Sequence, residues 1–212
     1  MGLVKSTLSA QPETPAPTVG APELLLLLAG EDAPLRRFAA AELQEYPEAA
    51  VQLAAHLAGE PDKATREAVL ISLLAIGSDE ACGALLSLLP GLHADRAGLR
   101  NEVIEALQQM PADTAPLVAA LCRDPDARMR IFGVNILCGM RNALVPEWLR
   151  GMLGGETHPN VAAALIEALA DIGTPAAIPD LQALPARFPN QRFLSFAVAM
   201  ATHRIACEAG AL

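Results

Sequence analysis

The chain of 212 residues carries 15 Lys and Arg residues against 24 Asp and Glu residues, which gives a formal net charge of −9 at pH 7. This negative field repels nucleic acid and anionic membranes, because phosphate recognition requires cations that displace counterions. Hydrophobic residues make up 52% of the chain and aromatic residues only 3%. A core rich in Leu and Ala with few aromatics favours closely packed helices, so we expect an all-α protein.

The N-terminal segment differs in composition from the rest of the chain. Residues 1–21 contain three prolines and several Ser and Thr residues without apolar periodicity, which is typical of a flexible segment. The five leucines at 24–28 are too few for the roughly 20 apolar residues that cross a bilayer. We therefore predict a flexible Pro-rich segment at 1–21, a helical domain at 22–212, and no membrane contact.

The helical part repeats itself about every 31 residues. Equivalent positions fall at intervals of 30, 34, 30, 32 and 30 residues, namely Arg36, Arg66, Arg100, Arg130, Ala162 and Arg192. Each unit has room for a first helix, A, and a second helix, B, which carries the Arg. Proline at helix starts and glycine at helix ends separate the pairs. The pattern predicts about six helical hairpins stacked into a curved α-α superhelix.

The best-formed unit also resembles a known family. Residues 124–137 read DPDARMRIFGVNIL and follow the pattern D-P-D-x-x-V-R-x-x-A-A-x-A-L at Asp124, Pro125, Asp126, Arg130 and Leu137. The first unit keeps Asp32, Leu35, Arg36, Ala39, Ala40 and Leu43. This pattern resembles the HEAT-like repeats of the phycobilisome-lyase type. The resemblance implies a helical solenoid that binds a protein or assists a bilin-attaching or bilin-removing lyase.

The repeated arginines point to a structural role. An Asp precedes the Arg by four residues in three units, so that it can cap the helix and pair along one helix face. In stacked repeats the Arg can also reach the neighbouring turn and form a ladder. We therefore predict that the repeat arginines stabilise the array: Arg36, Arg66, Arg100, Arg130 and Arg192.

The sequence shows no catalytic or metal-binding constellation. The four histidines lie in four different repeats, and none is followed by Glu. The four cysteines form no C-x-x-C pair, and apolar surroundings indicate buried, reduced thiols in a reducing, cytoplasmic compartment. Cys122 and Cys138 span one hairpin, where a redox pair is the alternative to two buried thiols. We predict no enzyme activity, no cofactor and no metal.

What remains is a surface for another protein. B helices of such arrays line the concave wall, and the residues one and five positions after each Arg are expected to face away from the core. These two columns predict a partner-binding set: Arg37, Glu67, Asn101, Glu105, Ile131, Asn135, Glu167 and Phe193. The sequence thus indicates a non-catalytic scaffold, adaptor or assembly factor. The alternative is an accessory subunit or chaperone of a lyase-type system.

The last repeat adds an expectation about its free end. Residues 192–206 read RFLSFAVAMATHRIA, with apolar side chains around more than one helical face. One stripe packs on repeat 5, and the rest needs another cover, such as a partner or a second copy of the chain. We expect Phe193 to be an exposed anchor and expect homo-oligomerisation through this repeat.

Overall fold

The computed structural model describes residues 19–210. This part of the chain contains twelve α-helices and several short 3₁₀ turns, and it contains no strand. This confirms the predicted all-α solenoid of about six hairpins. The predicted Pro-rich segment lies outside the described residues except for 19–21. The A helices are α1 Ala21–Leu28, α3 Ala50–Leu57, α5 Asp79–Leu88, α7 Ala115–Leu121, α9 Val145–Leu153 and α11 Ile178–Ala183. The B helices are α2 Ala33–Glu42, α4 Lys63–Ile76, α6 Ala97–Gln109, α8 Ala127–Gly139, α10 Pro159–Ile172 and α12 Arg192–Glu208.

Short polar side chains begin several of these helices. Asp32, Asp62 and Asp126 cap α2, α4 and α8, and each carboxylate accepts a hydrogen bond from a backbone N–H two or three residues later. Such caps satisfy backbone donors that have no partner inside the helix. Helix α4 is terminated by Gly77, the residue after Ile76, whose φ of 58° lies in the left-handed region that glycine adopts without strain.

The core runs the length of the array between the A layer and the B layer. Leucines from both layers fill it and are fully buried, including Leu57, Leu73, Leu85, Leu107 and Leu137. Successive B helices also pack directly on one another, as α2 does on α4 and α10 on α12. Among the described helices, none combines the length and the apolar character that crossing a bilayer requires.

Gly133 shows how closely helices A and B approach inside one repeat. A Cβ atom at this position would lie 2.9 Å from the Sγ of Cys122 and 3.0 Å from the Cβ of Leu121, both at the end of α7. The family pattern has Ala here, and this chain has Gly because α7 leaves no room for a methyl group.

Replacing this glycine should therefore be harmful. We expect Gly133→Ala to lower the free energy of unfolding by about 1–3 kcal/mol, because overpacking outweighs the gain in helix propensity. The control is Gly83→Ala in α5, where the added Cβ meets no atom of another element within 4 Å and a gain of about 0.5–1 kcal/mol is expected. Denaturant unfolding measures both; a stabilised Gly133→Ala variant would show that α7 moves away freely.

Candidate functional site

In three of the repeats, the repeated Arg joins its hairpin to the next one. Arg36 donates its Nε and Nη2 hydrogens to the two carboxylate oxygens of Glu60, both at 2.8 Å, and its Nη1 hydrogens to the carbonyl oxygens of Gly30 and Glu31. Glu60 belongs to the turn before α4, so the ion pair connects repeat 1 to repeat 2. The spacing had indicated Asp32 as a partner, but Asp32 instead caps α2.

The same bidentate arrangement recurs farther along the array. Arg130 bonds both carboxylate oxygens of Glu156 at 2.9 Å and two carbonyl oxygens of its own turn. Only 16% of the Arg130 side chain and 4% of the Glu156 side chain are exposed. Arg66 bonds Glu102 at 2.9 and 3.1 Å, although this acid lies on helix α6 and not in a turn. The array therefore contains a ladder of ion pairs between repeats.

Two of the five repeat arginines are not part of this ladder. The guanidinium of Arg100 lies 5.6 Å from the centre of the Phe132 ring, within the range of a cation–π contact. The acid in the next turn is Asp124, which is one methylene shorter than the Glu residues that complete the other pairs. Arg192 is the first residue of α12. Within residues 19–210, neither Arg100 nor Arg192 forms an ion pair.

Two arginines that the repeat alignment missed bind the preceding repeat. Arg96 donates to the carbonyl oxygen of Ala58, and Arg187 donates to that of Glu156. In the ladder, Arg66 and Arg130 each donate to the carbonyl oxygen six residues earlier. Repeat 5 has Ala162 in place of this Arg, so the equivalent carbonyl, that of Glu156, lacks the donor. Arg187 from repeat 6 thus takes over the missing contact. The sequence signal that could have indicated this contact is the position of Arg187 in the turn before a B helix.

The ladder acids are held in their charged form. The hydrogen bond from Arg36, helped by the backbone N–H of Asp62, outweighs the effect of burial and lowers the pKa of Glu60 to about 2. For Glu156, burial raises the pKa, but hydrogen bonds from Arg130 and two backbone N–H groups outweigh it and hold the pKa below its usual range. Both carboxylates therefore stabilise the fold at neutral pH.

We expect Glu60→Gln to destabilise the protein at pH 7 and to lose this difference in acid. The ordinary pKa of 4.5 falls to about 2 on folding, so the stabilisation is complete above about pH 4.5 and disappears as the pH falls through 2. It amounts to about 3 kcal/mol at most. Denaturant unfolding between pH 7 and pH 2 measures it, with exposed Glu48→Gln as the control. A difference that stays constant with pH would contradict the prediction.

The structure corrects the alignment of repeat 6. In the other repeats the aligned residue is the fourth of its B helix, but Arg192 is the first of α12 and the fourth is Ser195. The buried side chains of α12 are at its third, seventh, tenth and fourteenth positions, namely Leu194, Val198, Ala201 and Ile205. The residues at the same four positions of α10 are also buried or half-buried. An ion pair of 2.5 Å between Arg204 and Asp171, each the thirteenth residue of its helix, supports this register.

The fifth and ninth residues of the B helices form one surface, here called the B-helix wall. The fifth residues are Arg37, Glu67, Asn101, Ile131, Ala163 and Phe196, and the ninth are Ala41, Ile71, Glu105, Asn135, Glu167 and Met200. All of them are exposed or half-buried. Seven of the eight residues predicted to bind a partner thus lie on one wall. The eighth, Phe193, is the second residue of α12 and stands at the edge of the wall.

The apolar residues of repeat 6 belong to this wall. Phe196 is 70% exposed, Met200 57% and Phe193 49%. The positions of α12 that would face a seventh repeat are instead small or polar, namely Ser195, Ala199 and Thr202. The apolar side chains of repeat 6 that were expected to need a cover therefore lie on the wall. The end is closed by small side chains, and the apolar cluster faces outward on the wall.

A groove crosses the middle of the wall. Its volume is about 430 Å³. Ala164 and Ala168 of α10 contribute small side chains to it. Its polar lining comes from three helices, with Asn101 and Glu105 on α6, Asn135 on α8, and Glu167 and Asp171 on α10. Four of the predicted partner-binding residues therefore meet in one groove.

A larger cavity of about 820 Å³ lies in the A layer between α7 and α9. Trp148 and Met152 line it, together with the buried thiol of Cys122. The ladder pair of Arg130 and Glu156 also lines it, and these two groups already bond each other and nearby backbone. Its Arg130 and Glu156 side chains are thus engaged in structural contacts.

The cysteines have separate surroundings. Burial raises the pKa of the Cys122 thiol to about 11, and this side chain lies against Gly133. The Sγ of Cys138 lies 3.9 Å from the carbonyl oxygen of Ala168 on α10. Burial also raises the pKa of the Cys138 thiol. Within the described residues, no group of three or more His, Cys, Asp or Glu side chains is arranged to hold a metal ion.

Comparison with known proteins agrees with this architecture. A model of HEAT repeats matches residues 21–108 and 114–192. The chain belongs to the HEAT-repeat family. HEAT repeats generally mediate protein interactions and present extended curved surfaces. The match is to HEAT repeats in general and does not specify the phycobilisome-lyase type.

One solved structure, described as an engineered protein, is also similar to this HEAT-repeat chain. The two are 17% identical over 88% of this chain and 96% of the other, with a TM-score of 0.41. No curated protein matches the chain.

Proposed function

We propose that this HEAT-repeat protein is a non-catalytic scaffold or adaptor that binds another protein on the B-helix wall. The observation that carries the proposal is the exposed cluster of Phe193, Phe196 and Met200 on α12. Aromatic and Met side chains are enriched in the cores of protein interfaces, and a few such anchors supply most of the binding energy. The adjoining groove continues the same surface across α6, α8 and α10.

Affinity capture with mass spectrometry tests this proposal. Wild-type protein, the wall double variant Phe196→Ala with Met200→Ala, and the control Phe38→Ala are compared at equal concentration. Phe38 is 48% exposed but lies on α2 at the other end of the array. We expect a set of proteins bound by the wild type and the control but not by the double variant. Identical sets for all three proteins would disprove binding through the wall.

Two alternatives, self-association and an accessory role in a lyase-type system, have their own tests. A second copy of the chain is the alternative occupant of the wall, and light scattering distinguishes a monomer from a dimer. An accessory role in a lyase-type system stays a prediction of the family resemblance, and bilin absorbance of the purified protein tests it.

A further inference from the structure

The chemistry of the wall divides it into an apolar part and an acidic part. The apolar part lies on α8, α10 and α12, with Ile131 and Ala163 half-buried beside the exposed Phe193, Phe196 and Met200. The acidic part borders it in the groove across α6, α8 and α10. A partner that covers the wall therefore meets both.

Two of the three carboxylates in the groove have no cation partner among the described residues. Glu105 and Glu167 are exposed, and neither forms an ion pair among the described residues. Asp171 is paired only with Arg204 on α12. No Lys or Arg is among the residues that line the groove. The groove therefore favours positively charged side chains from a partner.

We infer that the wall binds a basic amphipathic helix of a partner protein, a conclusion that rests on the proposed function. The apolar face of this helix packs on Phe193, Phe196 and Met200, and its Lys or Arg residues lie beside Glu105 and Glu167. Small side chains at Ala163, Ala164 and Ala168 on α10 leave room for a helix backbone to approach between larger neighbours. This arrangement is the helix-in-groove mode of recognition.

The spacing of the B helices sets the length of the bound segment. Packed helices lie about 8–10 Å apart, so the path from α6 to α12 covers three spacings, or roughly 27 Å. A helix rises 1.5 Å per residue, which makes the segment roughly 18 residues long. Glu105 on α6 lies at one end of this path and the apolar anchors on α12 lie at the other, which fixes the direction of the bound helix on the wall.

A pair of synthetic helices tests the inference directly. Both peptides are roughly 18 residues long and carry the same Leu stripe, but one has Lys and the other Glu on the flanking positions. We expect the Leu/Lys peptide to bind at least about tenfold more tightly than the Leu/Glu peptide, with an affinity that falls as salt is added. Equal affinities would overturn the inference.

Variants separate the groove from the overall charge of the protein. Glu105→Gln with Glu167→Gln should remove most of the preference for the Lys peptide. The control, Glu48→Gln with Glu80→Gln, removes an equal number of negative charges on the A-helix side. This variant should keep the preference for the Lys peptide. If both pairs of changes act equally, the attraction comes from net charge and the inference fails.

Two further outcomes are distinguishable from failure of the proposed function. If Phe196→Ala abolishes capture of a protein partner while the two peptides bind equally, the wall binds proteins and only the basic partner is wrong. If light scattering shows a dimer that Phe196→Ala dissociates, the occupant is a second copy and the inference is overturned.

Discussion

Arg130→Ala is expected to lower the free energy of unfolding by about 3 kcal/mol, at the lower end of the loss for a broken buried ion pair. The change leaves the carboxylate of Glu156 buried without its counterion, and it removes the donors to two carbonyl oxygens of the turn. Glu156 keeps hydrogen bonds from the backbone N–H groups of Thr157 and His158, which limits the loss. Denaturant unfolding at pH 7 measures the change.

The control for this prediction is an arginine with a similar ion pair at the surface. Arg150 bonds Asp180 at 2.9 Å, and both side chains are at least a third exposed. Water and salt screen such pairs, so Arg150→Ala is expected to cost less than about 1 kcal/mol. Equal losses for Arg130→Ala and Arg150→Ala would show that the ladder contributes no more than ordinary surface charge.

The ladder also predicts where the array loosens first. Repeats of a solenoid contact only their neighbours, so a weakened junction divides the array into two cooperative parts. In Arg130→Ala the weakened junction lies between repeats 4 and 5. Relative to the wild type, amide hydrogen exchange should accelerate more in α9 and α10 than in α2 and α4. Uniformly faster exchange along the whole array would contradict a local role for this pair.

The repeating hairpins could be predicted from the sequence because similar local signals recur in most of the units. An Asp cap, an Arg at the fourth position and an apolar stripe each act within a single B helix. The partners of the arginines could not be predicted in the same way. Glu60 and Glu156 are 24 and 26 residues from the arginines they bind, so only the stacking of repeats brings them together.

The exposed positions of the B helices were placed correctly from the sequence in five repeats and misplaced in the sixth. The connection between α11 and α12 includes the 3₁₀ turn Leu184–Arg187 and four more residues, which brings Arg192 to the first position of α12. Aligning on that Arg assigned Phe193 to the fifth position of the helix. The spacing of the apolar residues Leu194, Val198 and Ala201 indicates the correct register. They are the third, seventh and tenth residues of α12, and buried residues recur at this spacing along one helix face.

The corrected register leads to the second large effect, on binding. Phe196→Ala is expected to weaken binding of the partner by roughly 30-fold, or about 2 kcal/mol, as is typical of an aromatic hot spot. Phe193→Ala should weaken it by only about threefold, because this residue is less exposed and lies at the edge of the wall. Both side chains contribute little to the core, so thermal stability should stay within the error of the wild type.

The comparison of these two variants tests the register itself. Binding of the captured partner, or of the Leu/Lys peptide, is titrated against wild type, Phe196→Ala, Phe193→Ala and Phe38→Ala, with circular dichroism melts of each. Phe38→Ala controls for loss of any exposed phenylalanine. A larger loss for Phe193→Ala than for Phe196→Ala would restore the alignment on Arg192. Because both residues lie on the same helix within one turn, only the position of the partner on the wall can separate their effects.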